Sequence, residues 1–377
     1  MKKITTVQSL DHKIRTLAEV AGFHWNNINK INKSPNGGIV GVDGKRYDKN
    51  SLINQILKLK KEIKDNGLNT PIFGTIEATM DFILDEGNAY QRLKSIVIGE
   101  PAILKQIITE FKDFETQHSI NFVDFSIVLI KGDKKTQKSV NLISEIFDYE
   151  AWRVKVKNKK PMPHILAMQM NIKVCPYCNN QYTQTLEKQD KTHKVQFQLD
   201  HFYPQSIYPY LAVSFYNLIP SCNNCNLSKS NHDTFKEKLI HPYEESFHQL
   251  AKFRTNKISD INLIKDFLEK GDFRTKNIDI ELVSSDARVQ IHKNIFHLED
   301  IYKQHQDVVS EIYAKSYLYP STRIAELSSM FDETKLSLFS EDEIKRFILG
   351  NYIDENDFHL RPLSKLTHDI AQELGLL

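Results

Sequence analysis

The segment from Cys175 to Asn231 decides the fold of this 377-residue chain. It contains, in order, CPYCNNQYT (175–183), FQLDHFYPQS (197–206) and YNLIPSCNNCNLSKSN (216–231). All four cysteines of the protein lie here, in the pairs Cys175/Cys178 and Cys222/Cys225, with two residues inside each pair. Two such pairs supply the four thiolates of a tetrahedral zinc site, so the spacing predicts a structural zinc ion. The alternative interpretation is two buried pairs of cysteines that hold no metal.

Two strands and a helix are predicted between and after the cysteine pairs. The run Val195–Leu199 alternates apolar and polar residues, which is typical of a strand, and Asp200-His201 follows it directly. A second candidate strand ends in Tyr216–Ile219, and a helix is expected to open near Cys222. The segment therefore predicts an order of strand, strand and helix, with an acid and a histidine after the first strand.

This order of residues resembles the HNH endonucleases, the ββα-metal nucleases, in their zinc-stapled form. That family typically reads CxxC, then Asp-His, then Asn, then CxxC followed at once by His or Asn and a nearby Lys. The matching positions here are Cys175/Cys178, Asp200-His201, Asn217, Cys222/Cys225, Asn226 and Lys229. The resemblance covers about sixty residues.

The chain departs from the commonest family pattern in two places. Many members carry His where Asn226 stands, which implies a weaker or different metal site. The glycine pair usual in the connecting loop is replaced by Gln205–Ser214, a long stretch rich in aromatic and apolar residues. We expect this loop to pack rather than flex.

The resemblance implies a division of roles that suits the chemistry of phosphodiester hydrolysis. That reaction needs an activated water and a group that stabilises charge on the leaving oxygen. A neutral imidazole can take a proton from water near pH 7, so His201 is the candidate general base. As in similar nucleases, Asp200 and the side-chain carbonyl of Asn226 would bind a divalent ion, and oxygen ligands favour Mg²⁺ or Mn²⁺. Asn217 would tie the strands together and orient the base, and Lys229 is either a phosphate contact or a solvated lysine.

The composition of the chain is that of an ordinary globular protein. Its net charge is +2, with 26% charged and 40% hydrophobic residues, so any basic surface for nucleic acid must be local. One such stretch, Arg153–Lys160, carries five positive charges in eight residues and is either a phosphate-binding segment or a solvated linker.

No run approaches the roughly 18 apolar residues of a membrane span, and the N-terminus lacks the apolar core of a signal peptide. Because the cysteines are assigned to zinc, we expect a cytoplasmic protein.

Helical patterns dominate on both sides of the cysteine-rich segment. Helices are predicted over 1–34, 51–64, 75–86, 88–114 (with Pro101 in the first turn of a new helix), 139–150, 161–173, 321–332, 341–350 and 363–375. A hairpin closed by Asp43-Gly44 and a strand within 121–130 are also expected. The predicted fold class is α+β, predominantly α-helical, with a small ββα-metal module and a four-cysteine zinc site. The expected parts are a mainly helical N-terminal region (1–150), the nuclease module (151–245) and a mostly helical C-terminal region (246–377).

The function favoured by these residues is metal-dependent hydrolysis of phosphodiester bonds in DNA. The sequence pattern DHFYPxSxYP…NLIPSCxxCNxxK also resembles that of bacterial HNH proteins in anti-phage defence systems of the Septu type. This resemblance implies an ATPase partner. Two alternatives stay open, namely a nuclease that cuts RNA and a non-catalytic zinc module that binds nucleic acid or protein. The second is disfavoured because a binding module has no need of a base beside a carboxylate. DNA and RNA are not distinguished, since no recognisable nucleic-acid-binding domain flanks the motif.

Overall fold

The computed structural model describes residues 6–8, 14–31, 38–65, 73–131, 136–154, 156–157, 160–170, 172–187, 193–195, 197–256, 278–332 and 339–377. In these ranges the chain is mostly helical with small two-stranded antiparallel sheets, so the predicted α+β, predominantly α-helical class is confirmed. None of the helices described is long and apolar enough to span a bilayer. The division into three parts at residues 150 and 245 stays a prediction.

The N-terminal region consists of helices that alternate with short hairpins. Its helices are α1 (Leu17–Ile28), α2 (Leu52–Asp65), α3 (Phe73–Leu84), α4 (Gln91–Ile98), α5 (Pro101–His118), α6 (Leu142–Ile146) and α7 (Tyr149–Val154). Its hairpins are β1 (Thr6–Gln8) with β2 (Ile14–Thr16), β3 (Ile39–Val40) with β4 (Arg46–Tyr47), and β5 (Ser126–Lys131) with β6 (Thr136–Asn141). The predicted hairpin around Asp43-Gly44 is confirmed, and Pro101 begins a new helix as expected.

The helix predicted over 1–34 is correct at 17–28 and wrong at 6–8 and 14–16, where strands pair. Residues 1–5, 9–13 and 32–34 of the predicted helix lie outside the described residues. A capping box begins α1 at Leu17. The hydroxyl group of Thr16 accepts a hydrogen bond from the backbone N–H of Glu19 at 3.2 Å, and the Glu19 carboxylate accepts from the backbone N–H of Thr16 at 2.7 Å. Satisfying these end groups with side chains favours a helix start at this point.

The central segment has the predicted order of strand, strand and helix, with shifted bounds. Its elements are β7 (Val156–Lys157), β8 (Lys160–Pro161), α8 (Met162–Met170), β9 (Thr185–Glu187), β10 (His193–Val195), β11 (Gln198–His201), β12 (Leu218–Ser221), α9 (Asn223–Lys229) and α10 (Phe247–Leu250). Strands β11 and β12 pair antiparallel, with Asp200 opposite Ile219 and His201 opposite Leu218. The first strand therefore contains the acid and the histidine instead of ending before them. The residues at 215–217 form a single 3₁₀ turn rather than part of the second strand.

The loop between β11 and β12 is packed, as its sequence predicts. Residues 208–217 are all buried. Tyr210 stacks on Phe111 of α5 with ring centroids 3.8 Å apart, and the Nε2 atom of His24 in α1 lies 2.8 Å from the carbonyl oxygen of Val213. The N-terminal helices thus hold in place the loop that contacts His201 of β11.

The C-terminal region combines helices with an antiparallel strand pair that the sequence analysis did not predict. Its elements are β13 (Lys252–Thr255), β14 (Ile280–Val283), α11 (Ala287–Ile295), α12 (Leu298–Tyr302), α13 (Gln306–Leu318), α14 (Ser321–Asp332), α15 (Glu341–Leu349) and α16 (Ser364–Glu373). Buried and exposed residues alternate along β14, and β13 makes a tertiary contact besides its pairing. Its Phe253 backbone N–H donates to the Asp369 carboxylate of α16 at 2.9 Å.

Candidate active site

The four cysteines converge on one buried point. Their Sγ atoms all lie within 4.8 Å of one another, and those of Cys178 and Cys222 are 3.9 Å apart. A tetrahedral zinc ion with Zn–S bonds of about 2.3 Å places its sulfur atoms about 3.8 Å apart, so the cluster has the dimensions of a zinc site. Burial raises the pKa of the Cys175 thiol well above its usual range, an effect that a bound cation would reverse. The four cysteines can therefore hold a zinc ion.

Each cysteine pair lies in a tight turn, which we call the first knuckle (Cys175–Cys178) and the second knuckle (Cys222–Cys225). Backbone N–H groups point at sulfur in both turns. The N–H of Asn180 lies 3.4 Å from the Sγ atom of Cys178, and the N–H of Cys225 lies 3.5 Å from that of Cys222. Cys222 is also the N-cap residue of α9, so this helix begins at the cysteine cluster.

A cavity of about 790 Å³ opens where β11 meets α9. Its lining includes Asp200, His201 and Asn226, so three of the predicted catalytic residues meet at one surface. Arg153 is the one lysine or arginine among the described residues that line this cavity, and its side chain is 54% exposed. Of the other residues in the predicted basic stretch, 155, 158 and 159 lie outside the described residues.

His201 reaches the cavity with one ring nitrogen already occupied. Its Nε2 atom lies 2.8 Å from the carbonyl oxygen of Ala212, which can only accept a hydrogen bond. In the neutral ring the proton is therefore on Nε2, and Nδ1 keeps its lone pair. The ring of Tyr149 packs against the imidazole with centroids 4.6 Å apart. Burial lowers the pKa of His201 from 6.5 to about 4, and the bond to Ala212 opposes burial only in part, so the ring is neutral at pH 7.

Asp200 is buried between two hydrogen-bond donors. Its Oδ2 atom accepts from the hydroxyl group of Tyr177 at 2.7 Å, and its Oδ1 atom lies 3.2 Å from the Nζ atom of Lys229. The side chains of Asp200 and Lys229 are only 5% and 1% exposed. Burial raises the pKa of Asp200 above its usual value, and the charge of Lys229 and the hydrogen bond from Tyr177 oppose this rise only in part. The paired ammonium group is the larger of the two effects that favour an ionised carboxylate inside the protein.

Lys229 occupies a position that its sequence context did not indicate. Its ammonium group donates to the carbonyl oxygen of His201 at 2.8 Å, besides pairing with Asp200. The interpretation of a solvated lysine is wrong, because the side chain is buried at the C-terminal end of α9. Lys229 is also absent from the described lining of the cavity, so it faces the acid and not the open surface.

Asn217 is fully buried, and both the oxygen and the nitrogen of its side-chain amide form hydrogen bonds. Its Oδ1 atom accepts from the backbone N–H of Tyr203 at 2.7 Å. Its Nδ2 atom donates to the carbonyl oxygens of Tyr203 at 3.1 Å and Leu211 at 3.0 Å. These bonds close the loop that carries Ala212, the partner of His201. Asn217 thus holds the loop that bonds to His201, and its predicted role of orienting the base stays a prediction.

Tyr177 is the residue that sequence reasoning missed. It stands inside the first knuckle, where the CxxC pattern requires only a spacer, so its residue type carried no signal. Its hydroxyl group contacts Asp200, 23 residues further along the chain, because the first knuckle packs beside β11 in the folded protein.

Comparison with known proteins finds one partial similarity. Over 83 residues the chain is 36% identical to the Septu protein PtuB of Bacillus thuringiensis, an alignment that covers 22% of this chain and 29% of that protein. The chain therefore spans less than a third of the length of the relative it matches. No family model matches the chain, and no solved structure matches it. The similarity supports the interpretation of this chain as a Septu-like protein, in agreement with the Septu-type sequence pattern of the motif.

Proposed function

We propose that this protein is a metal-dependent HNH endonuclease that hydrolyses phosphodiester bonds in DNA and acts in bacterial anti-phage defence. The observation that carries the proposal is the meeting of Asp200, His201 and Asn226 at one cavity. The helix that bears Asn226 starts at a four-cysteine cluster of zinc-site dimensions. A neutral histidine and oxygen ligands for a divalent ion are the groups that phosphodiester hydrolysis needs. The partial similarity to a Septu protein supports the role in defence.

His201 acts as the general base in this proposal. Its Nδ1 atom takes a proton from the attacking water, while the hydrogen bond from Nε2 to Ala212 keeps the ring in the tautomer and orientation that this step needs. The carboxylate of Glu150, which also lines the cavity, only partly offsets the burial and the charge of Lys229, which both disfavour the protonated ring. With its pKa lowered to about 4, the ring gives the proton up readily at pH 7.

Asp200 and Asn226 hold the divalent ion, Mg²⁺ or Mn²⁺, in this proposal. Each carboxylate oxygen has two lone-pair sites, and Tyr177 and Lys229 each occupy a site on a different oxygen of Asp200. One site on each oxygen remains for the ion. When bound, the ion would stabilise charge on the scissile phosphate and on the leaving 3′-oxygen.

In this proposal Arg153, and not Lys229, contacts the phosphate group of the substrate. Because Lys229 is buried against Asp200, we assign it the task of holding that carboxylate ionised and in place. Arg153 is exposed at the cavity, and although its Nε and one Nη atom donate to Glu150, its remaining N–H groups are better placed than Lys229 to contact a phosphate group.

The proposed zinc ion is structural. Four cysteine ligands fill a tetrahedral site and leave no position for water or substrate. A zinc site of this kind contributes on the order of 10 kcal/mol to the folding of a small module. Thiolates committed to zinc suit the reducing cytoplasm, where we place the protein beside an ATPase partner of the defence system.

The decisive experiment is cleavage of supercoiled plasmid by the full chain with Mg²⁺ or Mn²⁺. His201→Ala is expected to lower the nicking rate at least about 100-fold, since a general base contributes that much or more. The matched control is His232→Ala, which removes an exposed histidine that pairs with Glu237 and should leave the rate unchanged. Zinc content is measured in every sample to separate loss of chemistry from loss of fold.

The outcomes distinguish the remaining alternatives. Cleavage by His201→Ala at the wild-type rate would overturn the assignment of the base. Absence of plasmid cleavage by wild type, followed by cleavage of RNA, would replace DNA with RNA as substrate. Binding of nucleic acid without cleavage of either, with the ATPase partner present, would identify a non-catalytic zinc module.

A further inference from the structure

Tyr177 links the cysteine cluster to the catalytic cavity. The residue lies between two predicted zinc ligands, Cys175 and Cys178, and its side chain is fully buried. Its hydroxyl group nevertheless reaches the Oδ2 atom of Asp200 at 2.7 Å, on the strand that lines the cavity. A single side chain therefore spans the distance between the first knuckle and the proposed metal-binding acid.

The C-terminal region holds the ring of Tyr177 in this orientation. Phe296, directly after α11, stacks on the ring with centroids 4.6 Å apart and planes 16° from parallel. The Nε2 atom of His292 in α11 lies 3.1 Å from the carbonyl oxygen of Tyr177. Tyr302 in α12 donates to the carbonyl oxygen of Cys178, next in the chain, at 2.6 Å. The position of the hydroxyl group is thus set by packing before any ion enters the cavity.

The hydrogen bond from Tyr177 decides which lone pairs of Asp200 face the cavity. A buried carboxylate with a single partner can rotate about its terminal torsion, which is a broad, two-fold well. With Lys229 on Oδ1 and Tyr177 on Oδ2, both oxygens are held and the plane of the carboxylate is defined. Partners of this kind orient metal ligands, and their loss typically lowers metal affinity by roughly 10- to 100-fold.

We infer that Tyr177 is a positioning residue for Asp200, and that through it the first knuckle and the C-terminal region orient the ligand of the divalent ion. The inference rests on the proposed function, because it takes Asp200 as a ligand of that ion. It extends that function by connecting the C-terminal region, which has no residue in the described cavity lining, to the proposed active site.

The test compares Tyr177→Phe with Tyr203→Phe in the full, zinc-loaded chain. The first variant removes one hydroxyl group from Asp200 and keeps the ring stacked on Phe296. The second removes a hydroxyl group that is equally buried but has no hydrogen-bond partner among the described residues. Mn²⁺ is the probe, and its binding is followed by calorimetry and by the Mn²⁺ concentration that gives half-maximal nicking.

Tyr177→Phe is expected to weaken Mn²⁺ binding about tenfold and to keep the wild-type nicking rate at saturating Mn²⁺. Tyr203→Phe should bind Mn²⁺ as wild type does, and all three proteins should contain one zinc ion per chain. A variant with a merely structural defect would instead lose zinc or lose rate at saturating Mn²⁺.

Two results would overturn the inference alone. One is wild-type Mn²⁺ affinity in Tyr177→Phe while Asp200→Asn loses Mn²⁺ binding. The other is loss of zinc from Tyr177→Phe, which would show that the hydroxyl group supports the knuckle. If Mn²⁺ binding in wild type is absent or is unaffected by Asp200→Asn, the proposed metal site itself fails and the inference fails with it.

Discussion

The Nε2 atom of His201 lies 2.8 Å from the carbonyl oxygen of Ala212, eleven residues further along the chain. This contact joins β11 to the packed loop Gln205–Ser214. The loop supplies a rigid acceptor, since its neighbours Leu211 and Val213 are bound to Asn217 and His24. The imidazole is thereby held through Nε2, which in the proposed mechanism leaves Nδ1 for the attacking water.

When the pH is lowered from 7.5 to 6, we expect no fall in the nicking rate from protonation of His201. Burial lowers the pKa of His201 from 6.5 to about 4, so the base stays unprotonated until the pH falls towards 4. A histidine with an ordinary pKa of 6.5 would be only about a quarter neutral at pH 6. The measurement is the initial nicking rate at saturating Mn²⁺ across this range, with zinc content checked at each pH. A fall to about a quarter at pH 6 in zinc-replete protein would contradict the lowered pKa.

Loss of one cysteine is expected to destroy the zinc site and the fold around it. In Cys178→Ser the zinc content should fall from one ion per chain to nearly none, because a buried hydroxyl group is a poor zinc ligand beside three thiolates. Metal analysis and thermal unfolding measure the effect. The matched control is Ser221→Ala next to the second knuckle, where the hydroxyl group has no partner among the described residues and zinc should be retained. A Cys178→Ser protein with full zinc content would rule out the four-cysteine site.

Removing the charge of Lys229 is expected to destabilise the protein strongly. Lys229→Met leaves the carboxylate of Asp200 buried without its cation, which should lower the free energy of unfolding by roughly 3–5 kcal/mol. Urea unfolding measures the change. The double variant Lys229→Met with Asp200→Asn should recover much of the loss, because the uncompensated charge is then gone.

An exposed ion pair provides the control for this comparison. Lys236, whose side chain is 74% exposed, lies 3.5 Å from Asp233, and Lys236→Met should change the free energy of unfolding by less than about 1 kcal/mol. Equal effects of Lys229→Met and Lys236→Met would show that the buried pair with Asp200 does not form.

Asn217→Asp is expected to destabilise the loop that carries Ala212. The substitution removes the donors to the carbonyl oxygens of Tyr203 and Leu211 and places a buried charge against them. The free energy of unfolding should fall by about 3 kcal/mol, and nicking should slow because His201 loses its fixed acceptor. The control is Asn224→Asp, an exposed position in the first turn of α9, where a negative charge is tolerated. Unchanged stability in Asn217→Asp would mean that the amide bonds are not needed.

Much of the candidate site was predictable because its residues are close together in the sequence. The CxxC spacing of Cys175/Cys178 and Cys222/Cys225 indicated a convergent cluster, and the structure brings their sulfur atoms together. The helices with clear apolar faces, such as α2 and α15, were predicted within a few residues. The pairing of β13 with β14 was not predicted, although β14 alternates buried and exposed residues, because residues 256–279 separate the two strands and β13 also bonds to α16.

The sequence by itself determined that the four cysteines form a cluster that can hold a zinc ion, because two CxxC pairs have few other uses. Only the tertiary structure decided how the side chains around Asp200 and His201 are held. It buried Lys229 against Asp200, placed the hydroxyl group of Tyr177 on the same carboxylate, and turned His201 towards Ala212. These contacts join residues 11 to 29 positions apart, and they form only when knuckle, loop and helix pack together and exclude water from the polar groups between them.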